Sequence, residues 1–244
     1  MEKVAQGTPA REFEDALMYL PRKALTSYRK GQVIFDEHHP PAAVHLILKG
    51  RVKVVITLHD GSETVVDIFG ADDFLGESSL LGKLPHSGRA VALDNVSLMS
   101  WTPLEIEEQS QRQPKLGIAL IHMLVHRELD YQDRLRSFAL DKTSERIVRS
   151  LLRFADRLGT ATEDDCIGIP PFTHQVLAEY VGTTREIITL QMNQLRHKGL
   201  LRYSRKGIQI YTRALREHLR LQTRHGAAEP GAATGRSATA ERPL

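Results

Sequence analysis

The chain has 244 residues, of which 41% are hydrophobic, and this is enough to give two modest domains a core each. Its single cysteine, Cys166, excludes an internal disulfide and the cluster of thiolates that an iron–sulfur centre needs. No basic-then-apolar signal begins the chain, and no apolar run is long enough to span a bilayer. The composition predicts a cytoplasmic protein without an iron–sulfur cluster or a membrane partner.

The net charge of +3 hides an uneven distribution. Residues 1–141 contain 16 basic and 20 acidic side chains, whereas the remainder contains 17 basic and 10 acidic ones. An excess of positive charge in one half favours a polyanionic partner for that half.

Short β-rich segments follow residue 30, after a short helix predicted from Glu12 to Leu20. The predicted strands are Gln32 to Asp36, Val44 to Leu48, Arg51 to Thr57, Thr64 to Phe69 and Val91 to Trp101. Lys49-Gly50 and Asp60-Gly61 are typical of hairpin turns. Short strands without a helical period predict a small antiparallel barrel or jelly roll, which we take as the candidate sensor domain.

A long amphipathic helix is predicted from Pro114 to about Leu140. Its apolar positions form one wide stripe: Ile118, Leu120, Ile121, Leu124, Val125, Leu129, Tyr131, Leu135 and Phe138. About 25 residues at roughly 1.5 Å each give a helix of nearly 40 Å, longer than a small roll. We therefore expect a second copy of the chain to cover the stripe, the alternative being a helix packed only on its own domain.

A helix-turn-helix is predicted around Gly182. The first helix, His174 to Tyr180, has Thr173 as its expected N-cap, and glycine permits the tight corner that follows. The second helix, residues 183–198, opens with Thr183 and Glu186 in a capping-box spacing. Its predicted buried stripe is Ile188, Met192 and Leu195. Another helix is expected from Ser144 to Arg157, capped by Thr143 or Ser144.

The opposite face of the second helix carries side chains suited to base edges in a major groove: Arg185, Glu186, Thr189 and Asn193. Arg202 to Tyr211 follows as two short strands around a basic turn, which is typical of a wing. From Phe172 to His225 the chain has ten basic and three acidic residues, so we predict double-stranded DNA as partner. The alternative is an ordinary pair of amphipathic helices in which Glu186 serves only as a cap.

The chain resembles the Crp/Fnr family of bacterial transcription regulators over roughly residues 15–215. The resemblance lies in LILKGRVKV around Gly50, FLGESSLL at Phe74 to Leu81, Gly88-Arg89-Ala90, and VGTTRE at Val181 to Glu186. It implies an α+β protein with an N-terminal antiparallel β-roll of the cyclic-nucleotide-binding type and a C-terminal winged helix-turn-helix. The expected domains are the roll at 1–113, a dimerisation helix at 114–141, the DNA-binding domain at 142–225 and a disordered tail at 226–244.

The resemblance also implies a homodimer on a palindromic site and RNA polymerase as a further partner. Arg185 would contact a guanine and Glu186 a cytosine amino group, while Leu190 stands where some members have a second arginine. The expected phosphate contacts are Thr173, Thr184, His197, Lys198, Ser204, Arg205 and Lys206.

An effector site in the roll is implied by the family's cyclic-nucleotide cassette. Gly76, Glu77 and Arg89 match it, and Glu77 would accept from a ribose hydroxyl while Arg89 binds phosphate. Ala90 lacks the hydroxyl expected beside that arginine, and Asp130 with Tyr131 stands where the family has a Thr-Ser pair. The alternative is that Glu77 and Arg89 form a structural ion pair that closes the roll, in a member that binds another ligand or none.

Three further alternatives stay open at the sequence level. Haem or zinc could use His86, or His122 with His126. A cyclic-nucleotide-binding protein acting through protein contacts would leave the basic wing unused. A cupin-type metalloenzyme needs a His-x-His spacing that His45 and His59 do not provide, so we predict neither an enzyme nor a resident metal.

Overall fold

The computed structural model describes residues 16–57, 61–82, 88–162, 166–204 and 206–227. Within it the chain divides into two compact units. The first contains the chain up to Leu140 together with residues 175–184, and the second contains residues 141–174 and the chain from Arg185 onward. In the described part of the chain no helix has the length and apolar character needed to cross a membrane.

Two antiparallel four-stranded sheets build the roll of the first unit, in the orders β1-β8-β3-β6 and β2-β7-β4-β5. The strands are β1 Thr26–Tyr28, β2 Val33–Phe35, β3 Val44–Lys49, β4 Val52–Thr57, β5 Glu63–Phe69, β6 Phe74–Leu75, β7 Gly88–Ala92 and β8 Val96–Trp101. Short 3-10 turns lie at Ala16–Met18 and Glu77–Leu81. The predicted jelly roll is therefore confirmed.

The strands place alternate apolar side chains inside the roll, as their period of two requires. Ile47, Val52 and Leu98 are fully buried there, in one cluster with Phe35 and Phe69. Gly50 closes the predicted β3–β4 hairpin with φ +86°, and a Cβ on it would lie 2.4 Å from the Asn95 carbonyl oxygen. Glycine is needed at this corner for its backbone angle and for its lack of a side chain. Asp60, of the second predicted hairpin, lies outside the described residues.

One prediction in the roll is wrong. The segment Val91 to Trp101 is not one strand, because the chain turns between β7 and β8. The turn is held by Arg51, whose Nε donates to Asp94 Oδ2 at 2.6 Å and whose carbonyl accepts from Leu93 N at 2.8 Å. The described part of the predicted helix Glu12 to Leu20 shows only the 3-10 turn, which ends before Pro21.

Two helices follow the strands of the first unit, α1 at Pro103–Arg112 and α2 at Pro114–Leu140. A Thr102–Glu105 capping box starts α1. The predicted bounds of α2 are confirmed, and its first turns bury Leu116, Ala119 and Leu120 against the roll. Beyond them the helix exposes a row of large apolar side chains: Ile118, Ile121, Leu124, Val125, Leu129, Leu135, Phe138 and Leu140.

The rest of the chain forms four helices and a sheet of order β11-β12-β10-β9 within the described residues. The elements are α3 Thr143–Leu158, β9 Thr160–Ala161, β10 Ile167–Ile169, α4 His174–Val181, α5 Arg185–His197, β11 Leu201–Ser204, β12 Gly207–Ile210 and α6 Thr212–Ala227. Helices α3 and α6 pack together in the second unit. Residues 175–181 of α4 belong to the first unit by their contacts.

In the second unit, strands β9 and β10 and one helix were not predicted, and one helix cap was misplaced. Helix α6 was not predicted, although Leu215 and Leu219 lie four residues apart on its buried side. Helix α3 is preceded by Lys142, whose N–H donates to Glu145 at 3.2 Å, so neither Thr143 nor Ser144 is its N-cap. The predicted disordered tail after residue 227 lies outside the described residues.

Candidate nucleic-acid interface and effector site

The corner between α4 and α5 forms at Gly182, as predicted. Gly182 has φ +70°, and the N–H groups of Gly182 and Thr183 donate to the Ala178 carbonyl at 2.9 and 3.1 Å. This pattern closes the helix with a residue in the left-handed region, where glycine is favoured. Helix α5 then begins at Arg185, so Thr184 rather than Thr183 precedes its first residue.

Helix α5 has one buried and one exposed face. Ile188, Met192 and Leu195 are buried, which confirms the predicted stripe. Arg185 and Glu186 lie exposed at the start of the helix, and Leu190 is 57% exposed one turn later. Asn193 is half-buried on the same side. The face therefore presents a guanidinium, a carboxylate and an amide at helical spacing.

Thr189 lies in the middle of this face, but its side chain forms hydrogen bonds within the second unit. Its hydroxyl donates to the Arg185 carbonyl at 2.8 Å, and its Oγ1 lies 2.8 Å from His174 Nδ1. The other ring nitrogen of His174 lies 3.1 Å from the Tyr203 hydroxyl. No sequence signal joins residues this far apart, so the sequence analysis missed His174 and Tyr203.

The predicted wing is present as the β11–β12 hairpin. Ser204 Oγ accepts from Lys206 N and donates to the Gly207 carbonyl, both at 3.2 Å. Gly207 has φ +144°, and a Cβ there would lie 2.0 Å from the Ile169 carbonyl oxygen. The turn is thus held by bonds within the hairpin and by its close approach to β10.

The other predicted phosphate-contacting residues lie at the surface. Thr173, Thr184, His197, Lys198, Ser204 and Lys206 are all exposed, and Arg205 lies outside the described residues. Arg196 and Arg202, which the sequence analysis counted only as charge, are exposed near them in sequence. The described surface around α5 and the wing therefore carries a high density of positive charge.

In the roll, Glu77 is paired with an arginine that the sequence analysis did not single out. Arg127 of α2 forms an ion pair with Glu77 and donates to the Phe74 carbonyl at 2.6 Å. Its guanidinium lies 4.8 Å from the centre of the Phe69 ring. The Arg127 side chain is only 10% exposed, so this pair is largely shielded from water.

Arg89 has different partners. It forms an ion pair with Glu63 at the start of β5, and Lys53 Nζ lies 3.6 Å from the same carboxylate. Lys53 also lies 3.1 Å from Glu179 of α4, within the first unit. Arg89, Glu63, Lys53 and Glu179 thus form a row of alternating charges, and Glu77 is not part of it.

The remaining predicted effector residues are Gly76, Ala90, Asp130 and Tyr131. Gly76 has φ +79°, and a Cβ on it would lie 2.7 Å from the Ala43 carbonyl oxygen. Ala90 is fully buried in the core of the roll. Asp130 and Tyr131 are half-buried on α2, and an open groove of about 440 Å³ is lined by Tyr131, Glu77, Arg127 and four neighbours on α2.

These surroundings do not fit a cyclic nucleotide bound in the family's manner. The carboxylate for the ribose is engaged by Arg127, and the arginine for the phosphate is engaged by Glu63. Ala90 supplies a methyl group where a hydroxyl is needed, and α2 offers no small hydroxyl at Asp130 or Tyr131.

Metal-binding geometry is absent from the described residues, where no three His, Cys, Asp or Glu side chains come together. His86 and His59 lie outside them, and His122 and His126 belong to no such group. His45 Nδ1 lies 2.7 Å from Ser100 Oγ, and burial lowers the pKa of this imidazole below its usual value.

Two sequence families match the chain in the order of its units. The cyclic nucleotide-binding domain family matches residues 25–113, and the Crp-like helix-turn-helix domain family matches residues 145–217. The chain belongs to the Crp/Fnr family, and it is a DNA-binding transcription regulator of that type with an effector-binding domain.

Relatives and solved structures agree with this assignment. The chain is 24% identical over 183 residues to the CRP-like cAMP-activated global transcriptional regulator of Mycobacterium tuberculosis, covering 75% of this chain and 82% of the relative. It is 26% identical over 187 residues to the global nitrogen regulator of Nostoc, covering 76% and 84%. The structure of FixK2 from Bradyrhizobium japonicum aligns with a TM-score of 0.69 at 21% identity, over 80% of this chain and 96% of that one. The last of these supports the fold.

Proposed function

We propose that the protein acts as a homodimer that binds a two-fold symmetric duplex through α5 and its wing. The observation that supports this most is the exposed Arg185 and Glu186 at the start of α5, in a unit that also exposes Lys198 and Lys206. Two such helices spaced by about one turn of DNA, roughly 34 Å, require a palindromic site.

The exposed apolar row on α2 supports the homodimer. Eight large apolar side chains of this helix are at least 40% exposed, from Ile118 near its start to Leu140 at its end. An apolar surface of this extent favours coverage by a partner, and a second α2 has the matching length and periodicity. Close packing of two copies would remove these side chains from water.

For base recognition we propose that Arg185 donates to guanine O6 and N7 and that Glu186 accepts from a cytosine amino group. Thr173, Thr184, His197, Lys198, Ser204, Arg205 and Lys206 would contact phosphates, which positions the protein without selecting sequence. The role implies a cytoplasmic location, RNA polymerase as a further partner and no enzymatic reaction.

We infer that DNA binding by this member does not depend on a cyclic nucleotide. The support is the commitment of Glu77 to Arg127 and of Arg89 to Glu63, together with the missing hydroxyl at Ala90. A nucleotide would have to break both ion pairs before it made its own contacts, and the loss would be subtracted from its affinity.

The row Arg89, Glu63, Lys53 and Glu179 offers a route from the roll to α4. An anionic effector that bound Arg89 would compete with Glu63, and the released carboxylate would draw Lys53 away from Glu179. Such an effector shifts the protein only if it binds one arrangement of these charges better than another.

Selection of duplexes from a random pool by the purified protein tests the proposed function. We expect an enriched palindrome without added ligand and the same palindrome with cyclic AMP or cyclic GMP. Enrichment only with a nucleotide would overturn the ligand-independent part, and enrichment of an asymmetric site would overturn the dimer on a palindrome.

A further inference from the structure

A chain of hydrogen bonds in the second unit runs from the wing to the start of α5. It begins at the Tyr203 hydroxyl on β11, passes through the His174 ring and reaches Thr189 on α5. From Thr189 it continues to the main-chain carbonyl of Arg185, at 2.8 Å. The Tyr203 and His174 rings lie 6.5 Å apart with a tilt of 48°.

The donors in this chain follow from its last bond. Because the Thr189 hydroxyl proton points to the Arg185 carbonyl, Thr189 Oγ1 accepts from His174. Nδ1 of His174 therefore carries the proton, and Nε2 accepts from the Tyr203 hydroxyl. The donor of each bond is thereby fixed, and all three bonds run in the same direction.

The protonation states agree with this direction. Burial and the nearby Arg185 charge lower the pKa of His174, which keeps the imidazole neutral at neutral pH. Burial raises the pKa of Tyr203 above its usual value, against a smaller effect of Arg196, so the phenol keeps the proton that it donates.

We propose that His174 is a positioning residue of the DNA-binding surface, coupling the wing strand to the first turn of the recognition helix through Tyr203 and Thr189. The proposal rests on the proposed DNA-binding role of α5. Thr189 then orients the helix and leaves base recognition to Arg185, Glu186 and Asn193.

Hydrogen bonds within the wing extend the coupling to Lys206. The turn after Tyr203 is held by Ser204, which bonds both Lys206 N and the Gly207 carbonyl. We therefore expect a displacement of Tyr203 to move Lys206 with it. The hydrogen-bonded chain sets the position of a phosphate-contacting lysine relative to Arg185, and this position decides whether both contacts form together.

Tyr203→Phe removes only the hydroxyl that begins the chain, and Tyr211→Phe is its matched control, because Tyr211 takes no part in the chain. Binding is measured on the selected palindrome and on a scrambled duplex of equal length. We expect Tyr203→Phe to weaken palindrome binding about 5-fold, the equivalent of one net hydrogen bond, and to leave scrambled binding unchanged. Equal losses on both duplexes would assign Tyr203 to a phosphate contact and overturn the proposal, as would no loss beyond that of Tyr211→Phe.

A double-mutant cycle separates the coupling from two independent contacts. His174→Phe should match the loss of Tyr203→Phe, and the double variant should lose nothing further. His174→Gln, whose amide can donate to Thr189 and accept from Tyr203, should recover part of the affinity. Additive losses would overturn the proposal. Failure of the wild-type protein to select any duplex would instead overturn the proposed function, and Tyr203→Phe keeps the test available if His174→Phe does not fold.

Discussion

The candidate effector site in the roll and the proposed DNA-binding face of α5 use similar residues in opposite ways. In the roll, Glu77 and Arg89 are each paired within the first unit, to Arg127 and to Glu63. On α5 and the wing, Arg185, Lys198 and Lys206 lie exposed and form no ion pair with any residue that the structure describes. Charges that are already paired lose that pairing when they bind a ligand, whereas exposed charges of one sign attract a partner.

The match to the family pattern at Arg185 and Glu186 therefore supports a function more strongly than the match at Glu77 and Arg89. A cassette motif can persist because its residues hold the roll together, and Gly76 illustrates this through its backbone angle and its close contact with Ala43. The Arg185 side chain forms no ion pair with any of the described residues. Variants in the two regions should therefore separate stability from DNA binding.

The largest effect is expected in the roll. Arg127→Met leaves the Glu77 carboxylate without its ion-pair partner, so the free energy of unfolding should fall by about 2–3 kcal/mol. This loss is smaller than that for a fully buried pair because Glu77 keeps 29% of its side chain exposed. Urea unfolding measures the change, and Arg112→Met, at an exposed pair, is the matched control. A ligand-binding role alone would predict no loss of stability.

Arg185→Ala should weaken DNA binding and leave the stability of the fold almost unchanged. Binding to the selected palindrome should weaken by about 1–3 kcal/mol, with relaxed base choice at one position in each half-site. The free energy of unfolding should change by no more than about 0.5 kcal/mol, as for other exposed residues. Titration of duplexes substituted at each position measures the affinity and the base choice, and urea unfolding measures the stability. Undiminished discrimination would show that another residue of α5 contacts that base.

Lys206→Ala should weaken binding to all duplexes alike. Loss of one phosphate contact lowers the slope of log affinity against log salt by about 1 and leaves the preferred sequence unchanged. Salt titrations on the palindrome and on a scrambled duplex check this, with Arg112→Ala at the end of α1 as control. A loss confined to the palindrome would assign Lys206 to base recognition.

The smallest expected effect concerns pH. Burial lowers the pKa of His45, so the unfolded chain binds more protons than the folded one as the pH falls through the usual histidine value of about 6.5. The neutral His45 ring therefore makes its full contribution to stability above about pH 6.5, and this contribution is lost as the pH falls further. His45→Gln should flatten the dependence of unfolding free energy on pH, which urea unfolding at a series of pH values measures. If His45→Gln left the dependence of stability on pH unchanged, burial of His45 would not be its cause.

The elements with strong local signals could be predicted from the sequence. Helix α2 was predicted with its bounds, because its apolar stripe runs unbroken from its first turn to Phe138. The buried stripe of α5 and the wing hairpin also followed from local patterns. The turn between β7 and β8 was missed because the contacts that fix it come from Arg51, far away in the chain.

The partners of the candidate sites could not be predicted for the same reason. Glu77 meets an arginine 50 positions away, and His174 meets a tyrosine 29 positions away. Periodicity describes which face a residue occupies, but pairing across elements depends on how the elements pack. The sequence therefore indicated which residues carry charge at each site, and the structure showed which of those charges already have a partner.

Selection of duplexes from a random pool tests the central claim most directly, when it is run with no ligand, with cyclic AMP and with cyclic GMP. The paired charges of the roll and the exposed face of α5 predict one palindrome in all three conditions, with a guanine in each half-site that becomes variable in Arg185→Ala. Failure to enrich any sequence under all three conditions would contradict the account.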